Sequence, residues 1–115
     1  MSRPFQVRSA ERDAQTDRER LGSISSVVKA AVASVRREKD ALRTRVDAAR
    51  DLASFATGTD HDEYLTRDKK DEARIKEYER QMTAGEKRIQ ELEHQLGGLA
   101  ALQETFDRYF ADALR

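Results

Sequence analysis

Ser54-Phe55-Ala56-Thr57-Gly58-Thr59-Asp60-His61-Asp62-Glu63 is the stretch that decides the fold. On both sides of it, apolar residues recur every three or four positions among charged helix formers, and here that period lapses. Gly58 can adopt the left-handed conformation that ends a helix. Asp60, followed three residues later by Glu63, has the form of a capping box that starts another. The stretch therefore predicts a reversal at Gly58–Asp60, with helix 1 over about 16–57, a turn at 58–60 and helix 2 over about 61–114.

Upstream, the apolar positions Leu21, Val28, Val32, Val35, Leu42, Val46, Ala49, Ala53 and Ala56 form one seam, interrupted by Ser25 and Lys39. Spacing in threes and fours is the mark of a helix with one buried stripe. Thr16-Asp17-Arg18-Glu19 has the capping-box form, so helix 1 is expected to begin there. The preceding residues carry Pro4, scattered charge and no apolar period, and 1–15 read as a flexible tail.

Downstream, Ile75, Met82, Ile89, Leu96 and Phe110 alternate with Tyr64, Tyr78, Leu92, Leu99, Phe106 and Ala113 in heptad order, with Asp68, Asp71, Gly85 and Gln103 as exceptions. Such a seam predicts a helix that packs on another helix. The flanking charges point to which one. Beside the first seam stand Lys29, Arg36, Arg43 and Arg50; beside the second stand Glu72, Glu79, Glu86 and Glu93. A reversal near residue 61 pairs Arg50 with Glu72, Arg43 with Glu79, Arg36 with Glu86 and Lys29 with Glu93. It also puts Lys39 opposite Gly85, where the Lys stem could run out to water. Exposed pairs of this kind contribute about 0.2–1 kcal/mol each and act mainly on orientation.

Composition agrees with this architecture. The chain is 38% charged, with one Pro and five Gly, a profile of long helices rather than sheets. The 22 basic and 22 acidic residues cancel, yet residues 1–57 hold 12 Lys/Arg against 8 Asp/Glu and the remainder holds 10 against 14. Halves of opposite sign suit antiparallel neighbours and disfavour a uniformly basic nucleic-acid binder. Without Cys, disulfides, thiolate metal sites and cysteine nucleophiles are excluded. No signal-peptide core and no apolar span of membrane length is visible, and a cytoplasmic location is expected. The expected fold is thus all-α: a long antiparallel helical hairpin, a two-helix coiled coil, dimerising into a four-helix bundle.

Function is expected at the open end of the hairpin. In the predicted register Phe106, Tyr109, Phe110, Ala113 and Leu114 lie opposite the polar segment 10–18 and lack a cover. Ile24, Val27 and Ala31 widen the apolar face of helix 1, and Leu102 that of helix 2. Uncovered stripes of this kind mark interfaces. The expected activity is that of a non-enzymatic adaptor, chaperone-like or structural coiled-coil protein that binds protein and self-associates as a homodimer. Gly22 and the Gly97-Gly98 pair fall near one level and read either as a hinge or as a point of close approach.

Other chemistries find less support. Asp60, His61, Asp62 and Glu63 are adjacent residues at a helix start, already explained by capping and the helix dipole, and no metal or other cofactor is expected. His94 falls at a polar heptad position. Arg36 to Arg50 could meet nucleic-acid phosphates, the alternative reading, but they alternate with Glu38, Asp40 and Asp47. No phosphate loop, His-Glu-x-x-His or serine elbow is present, and no enzyme activity is expected. In outline the chain is similar to small helical-hairpin proteins such as bacterial secretion chaperones. The paired-helix secreted substrates share a Trp-x-Gly turn, which this chain lacks, having no Trp and the turn Phe55-Ala56-Thr57-Gly58. The likeness is one of outline and carries no residue across.

Overall fold

A computed structural model describes residues 9–58 and 69–115. They form two long helices, α1 (Ala10–Gly58) and α2 (Lys69–Phe110), and a single 3-10 turn at Asp112–Leu114. The fold is an all-α antiparallel hairpin. It comprises two compact units: a terminal unit, Met1–Ala33 with Gly97–Arg115, and a central unit, Ser34–Leu96.

α1 begins six residues before Thr16, because Ser9 caps it. The Arg12 amide donates to Ser9 Oγ at 3.2 Å, and the Asp13 amide to the Ser9 carbonyl at 3.0 Å. This is the N-cap arrangement, in which a Ser oxygen takes the amide three residues on. Glu11 and Asp13 in the first turn complement the helix dipole. Thr16 has a different role: its hydroxyl donates back to the Arg12 carbonyl at 3.0 Å, as a mid-helix Thr does. Of the expected 1–15 tail, residues 10–15 are therefore helical, and 1–8 lie outside the described residues. The described part of α1 runs to Gly58, which is helical where a turn at 58–60 was expected. Asp60, the capping box it begins and the expected start of helix 2 near 61 lie outside the described residues. α2 stops at Phe110, before the expected 114.

In the central unit the buried apolar residues are Val46, Ala49 and Ala53 from α1 and Ile89 and Leu92 from α2. Burial of a Val, Ile or Leu side chain contributes about 1.5–3 kcal/mol, and of an Ala methyl about 0.8 kcal/mol. All five belong to the predicted seams. The register differs from the expected one. A Cβ on Gly85 would lie 2.5 Å from Val46 Cγ2, so Val46 occupies the space expected for Lys39, seven residues and one heptad away. An apolar methyl fills the glycine gap in a buried layer, whereas a Lys there would have to carry its charge out past the seam. Lys39 instead reaches Glu93 at 3.9 Å with its side chain partly exposed.

In the terminal unit the buried residues are Ser25, Val28 and Phe106. Gln103 Nε2 donates to Ser25 Oγ at 3.4 Å and to Asp107 Oδ1 at 2.8 Å, which ties the polar seam positions of the two helices together. Gln103 Oε1 is buried with no hydrogen-bond partner. Here too the register has moved, since Gln103 was expected opposite Leu21.

Candidate interaction face

The shift in register decides which expected interface residues are free. With Ser25 bonded to Gln103, Phe106 comes level with the turn from Leu21 to Ser25 rather than with the polar segment 10–18. It is only 8% exposed. Phe106 is thus a core residue of the terminal unit, a correction to its expected place in an uncovered stripe. Phe110 is intermediate between the two situations at 38% exposure, with its ring 5.0 Å from that of Phe106. Ala113 and Leu114 are half-buried within the 3-10 turn.

The remaining candidates gather on one side of the terminal unit. Ile24 immediately precedes seam residue Ser25, and Leu102 immediately precedes seam residue Gln103. In antiparallel helices, residues that precede the seam on each strand lie on the same flank. One helical turn away on that flank are Val27 on α1 and Gly98 on α2, with Ala31 two turns from Ile24 and Tyr109 two turns from Leu102. Val27 is 69% exposed, Leu102 53% and Tyr109 77%. Ile24 is also exposed and Ala31 half-buried. The opposite flank carries Lys29, Glu104 and Asp107. One side of the terminal unit is therefore apolar and the other charged.

The charged stripes are present, and all eight of their residues are exposed: Lys29, Arg36, Arg43, Arg50, Glu72, Glu79, Glu86 and Glu93. Their pairing departs from expectation. Arg50 Nη2 meets Glu86 Oε1 at 3.0 Å, rather than Glu72, and Arg50 also meets Asp47 at 3.2 Å. Glu93 meets Lys39 rather than Lys29. Two causes add. The seam has slid by a heptad, and every helical side chain leans toward its own N-terminus, so antiparallel partners reach past the residue directly opposite.

The most developed charge cluster was not anticipated. Arg88 Nε and Nη2 donate to the two carboxylate oxygens of Glu38 at 2.8 and 3.3 Å, and Nη1 to Glu91 at 3.1 Å. This two-pronged contact holds the Glu38 carboxyl below its ordinary value of 4.5, chiefly through the hydrogen bonds from Arg88, and raises Arg88 in turn. Glu38 and Arg88 stand outside the two stripes, so only the spatial register could pair them.

Gly22, Gly97 and Gly98 lie inside continuous helices, and a Cβ on any of them would meet nothing within 4 Å. They do not share a level. Gly22 precedes Ser25 while Gly97 and Gly98 precede its partner Gln103, so in antiparallel helices they fall on opposite sides of that layer. The acidic set Asp60, His61, Asp62 and Glu63 lies outside the described residues, and His94 is exposed. Among the described residues, no group of three His, Cys, Asp or Glu side chains is placed to hold a metal ion, and no helix is long and apolar enough to cross a membrane.

The fold and this face define a class: a two-helix hairpin whose terminal unit has one charged and one apolar side. No protein-family model matches the chain, and no curated protein or solved structure does so either.

Proposed function

We propose that the chain is a non-enzymatic protein–protein interaction module, adaptor-like or chaperone-like, whose working surface is the apolar side of the terminal unit. The supporting observation is the exposure of Val27, Leu102 and Tyr109 together on one flank, while seam residues Val28 and Phe106 of the same unit are buried. Scattered exposed apolar residues are ordinary, but several contiguous ones on a helix pair are the usual substrate for docking. The surface lies along the side of the terminal unit and includes Ile24, Val27, Ala31, Leu102 and Tyr109, with Phe110 at its edge and Phe106 beneath it.

The test is affinity capture with mass spectrometry, comparing the parent with Val27→Glu/Leu102→Glu. Both positions are exposed, so circular dichroism should show an unchanged helix content. Loss of the captured proteins supports the reading. An identical set from both chains would show that this flank is not the working surface.

A further inference from the structure

The outer faces of the two helices in the central unit carry opposite charge. On α1 the row turned away from the seam holds Asp40, Asp47 and Asp51, and on α2 it holds Lys76, Arg80 and Lys87; all six are exposed. With Thr44 on α1 and Thr83 on α2, each row advances by four, three and four residues, which keeps it on one side of its helix. Laid antiparallel, the rows match at a single register: Asp40 with Lys87, Asp47 with Arg80 and Asp51 with Lys76. That register also sets Arg37 against neutral Gln90, so no like charges meet along it. Thr44 falls against Thr83, and their hydroxyls donate to the Asp40 and Glu79 carbonyls of their own helices at 3.1 and 3.0 Å. The layer between the charged pairs therefore asks for no further hydrogen bond. The charges themselves are available. Among the described residues, the side chains of Asp40, Asp51, Lys76 and Lys87 make no ion pair or hydrogen bond. Asp47 engages Arg50 through one oxygen, and Arg80 engages Glu77 through one nitrogen.

We propose that these faces are a lateral contact through which copies of the chain line up side by side, the α1 face of one against the α2 face of the next. A two-fold contact through either face would set aspartates on aspartates or cations on cations. The pairing is therefore head to tail, and each end copy keeps one open face for another. Val46 and Gly85 share a layer inside the hairpin, and Asp47 and Arg80 stand one and five residues beyond them. Hairpins in the same orientation thus meet at this register after a stagger of about four residues, roughly one helical turn. A formal net charge of zero leaves no overall repulsion between copies. Exposed pairs are individually weak and salt screens them, so the contact forms at low ionic strength and high concentration. It uses a different unit from the apolar flank and stands or falls without it.

Light scattering or sedimentation of the full chain tests this between about 10 mM salt, where charges act over about 30 Å, and about 1 M, where they act over about 3 Å. At low salt the mean mass should climb with concentration past twice the chain mass, and at high salt it should fall to that of one chain. Asp47→Arg and Arg80→Asp each set like charges together and should weaken association at least ~5-fold. The double variant Asp47→Arg/Arg80→Asp restores the pair in reverse at unchanged net charge, and should recover the parent's association with the same helix content by circular dichroism. Oxidised Thr44→Cys/Thr83→Cys chains should give a ladder of dimers, trimers and longer species. A chain that stays monomeric at low salt, an assembly that stops at two copies or survives high salt, or a double variant no better than the single ones overturns the lateral contact. None of these results bears on the apolar flank, which the capture experiment with Val27→Glu/Leu102→Glu tests separately.

Discussion

Gly85 and Gly98 are chemically the same residue, one helix, thirteen positions apart, and they should respond oppositely to the same change. A methyl at Gly85 would press on Val46 Cγ2, so Gly85→Ala is expected to destabilise by about 1–3 kcal/mol as an overpacked layer, even after its gain in helix propensity. Gly98→Ala meets nothing and should stabilise by about 0.5–1 kcal/mol. Urea denaturation followed by circular dichroism measures both, and equal effects would contradict the packing at Val46. Phe106 and Tyr109 make a similar contrast. Phe106→Ala opens a cavity and should cost about 3–5 kcal/mol, whereas Tyr109→Ala at an exposed position should fall within about 0.5 kcal/mol. Periodicity marked both as part of a seam or its margin. It could not separate them, because their burial depends on which turn of α1 stands opposite.

At the scale of the helix pair, one buried polar layer and several exposed ion pairs join α1 and α2. The Ser25–Gln103 layer leaves one amide oxygen buried without a partner, which is costly in a low-dielectric seam. Replacing both by apolar residues, Ser25→Val with Gln103→Leu, should therefore be neutral or stabilising in thermal denaturation. A loss above about 2 kcal/mol would mean that the polar layer holds the seam together. The Glu38–Arg88 contact has a pH signature. The folded-state value of Glu38 is depressed, so its contribution is present above the ordinary carboxylate range near 4.5 and is lost as pH falls below that, through the lowered value. The parent should lose more stability than Glu38→Gln between pH 6 and about pH 3, and salt should shrink the difference because the pair is exposed. Both seams were legible in the sequence because a 3.6-residue period exposes which residues must face inward. The Glu38–Arg88 pair was not, because charge patterns repeat every heptad and fit neighbouring registers almost equally well.

For the whole chain, the interaction reading separates from the nucleic-acid alternative by salt. Arg50 is already engaged by Asp47 and Glu86, and the basic stripe is interleaved with acids, so no band shift with duplex DNA is expected even at low salt. A shift that weakens steeply between 50 and 200 mM salt would favour the basic face of α1 instead. The sequence by itself determined the fold class, the two helices and the membership of both seams. These follow from local propensity and period, which each helix carries alone. Only the tertiary structure decided the register, and with it the burial of Phe106, the partners of Arg50 and Glu38, and the side of the terminal unit that stays apolar. A slide of one heptad preserves every local pattern while exchanging every partner, and the choice falls to packing: Val46 fits the space at Gly85 better than Lys39 does.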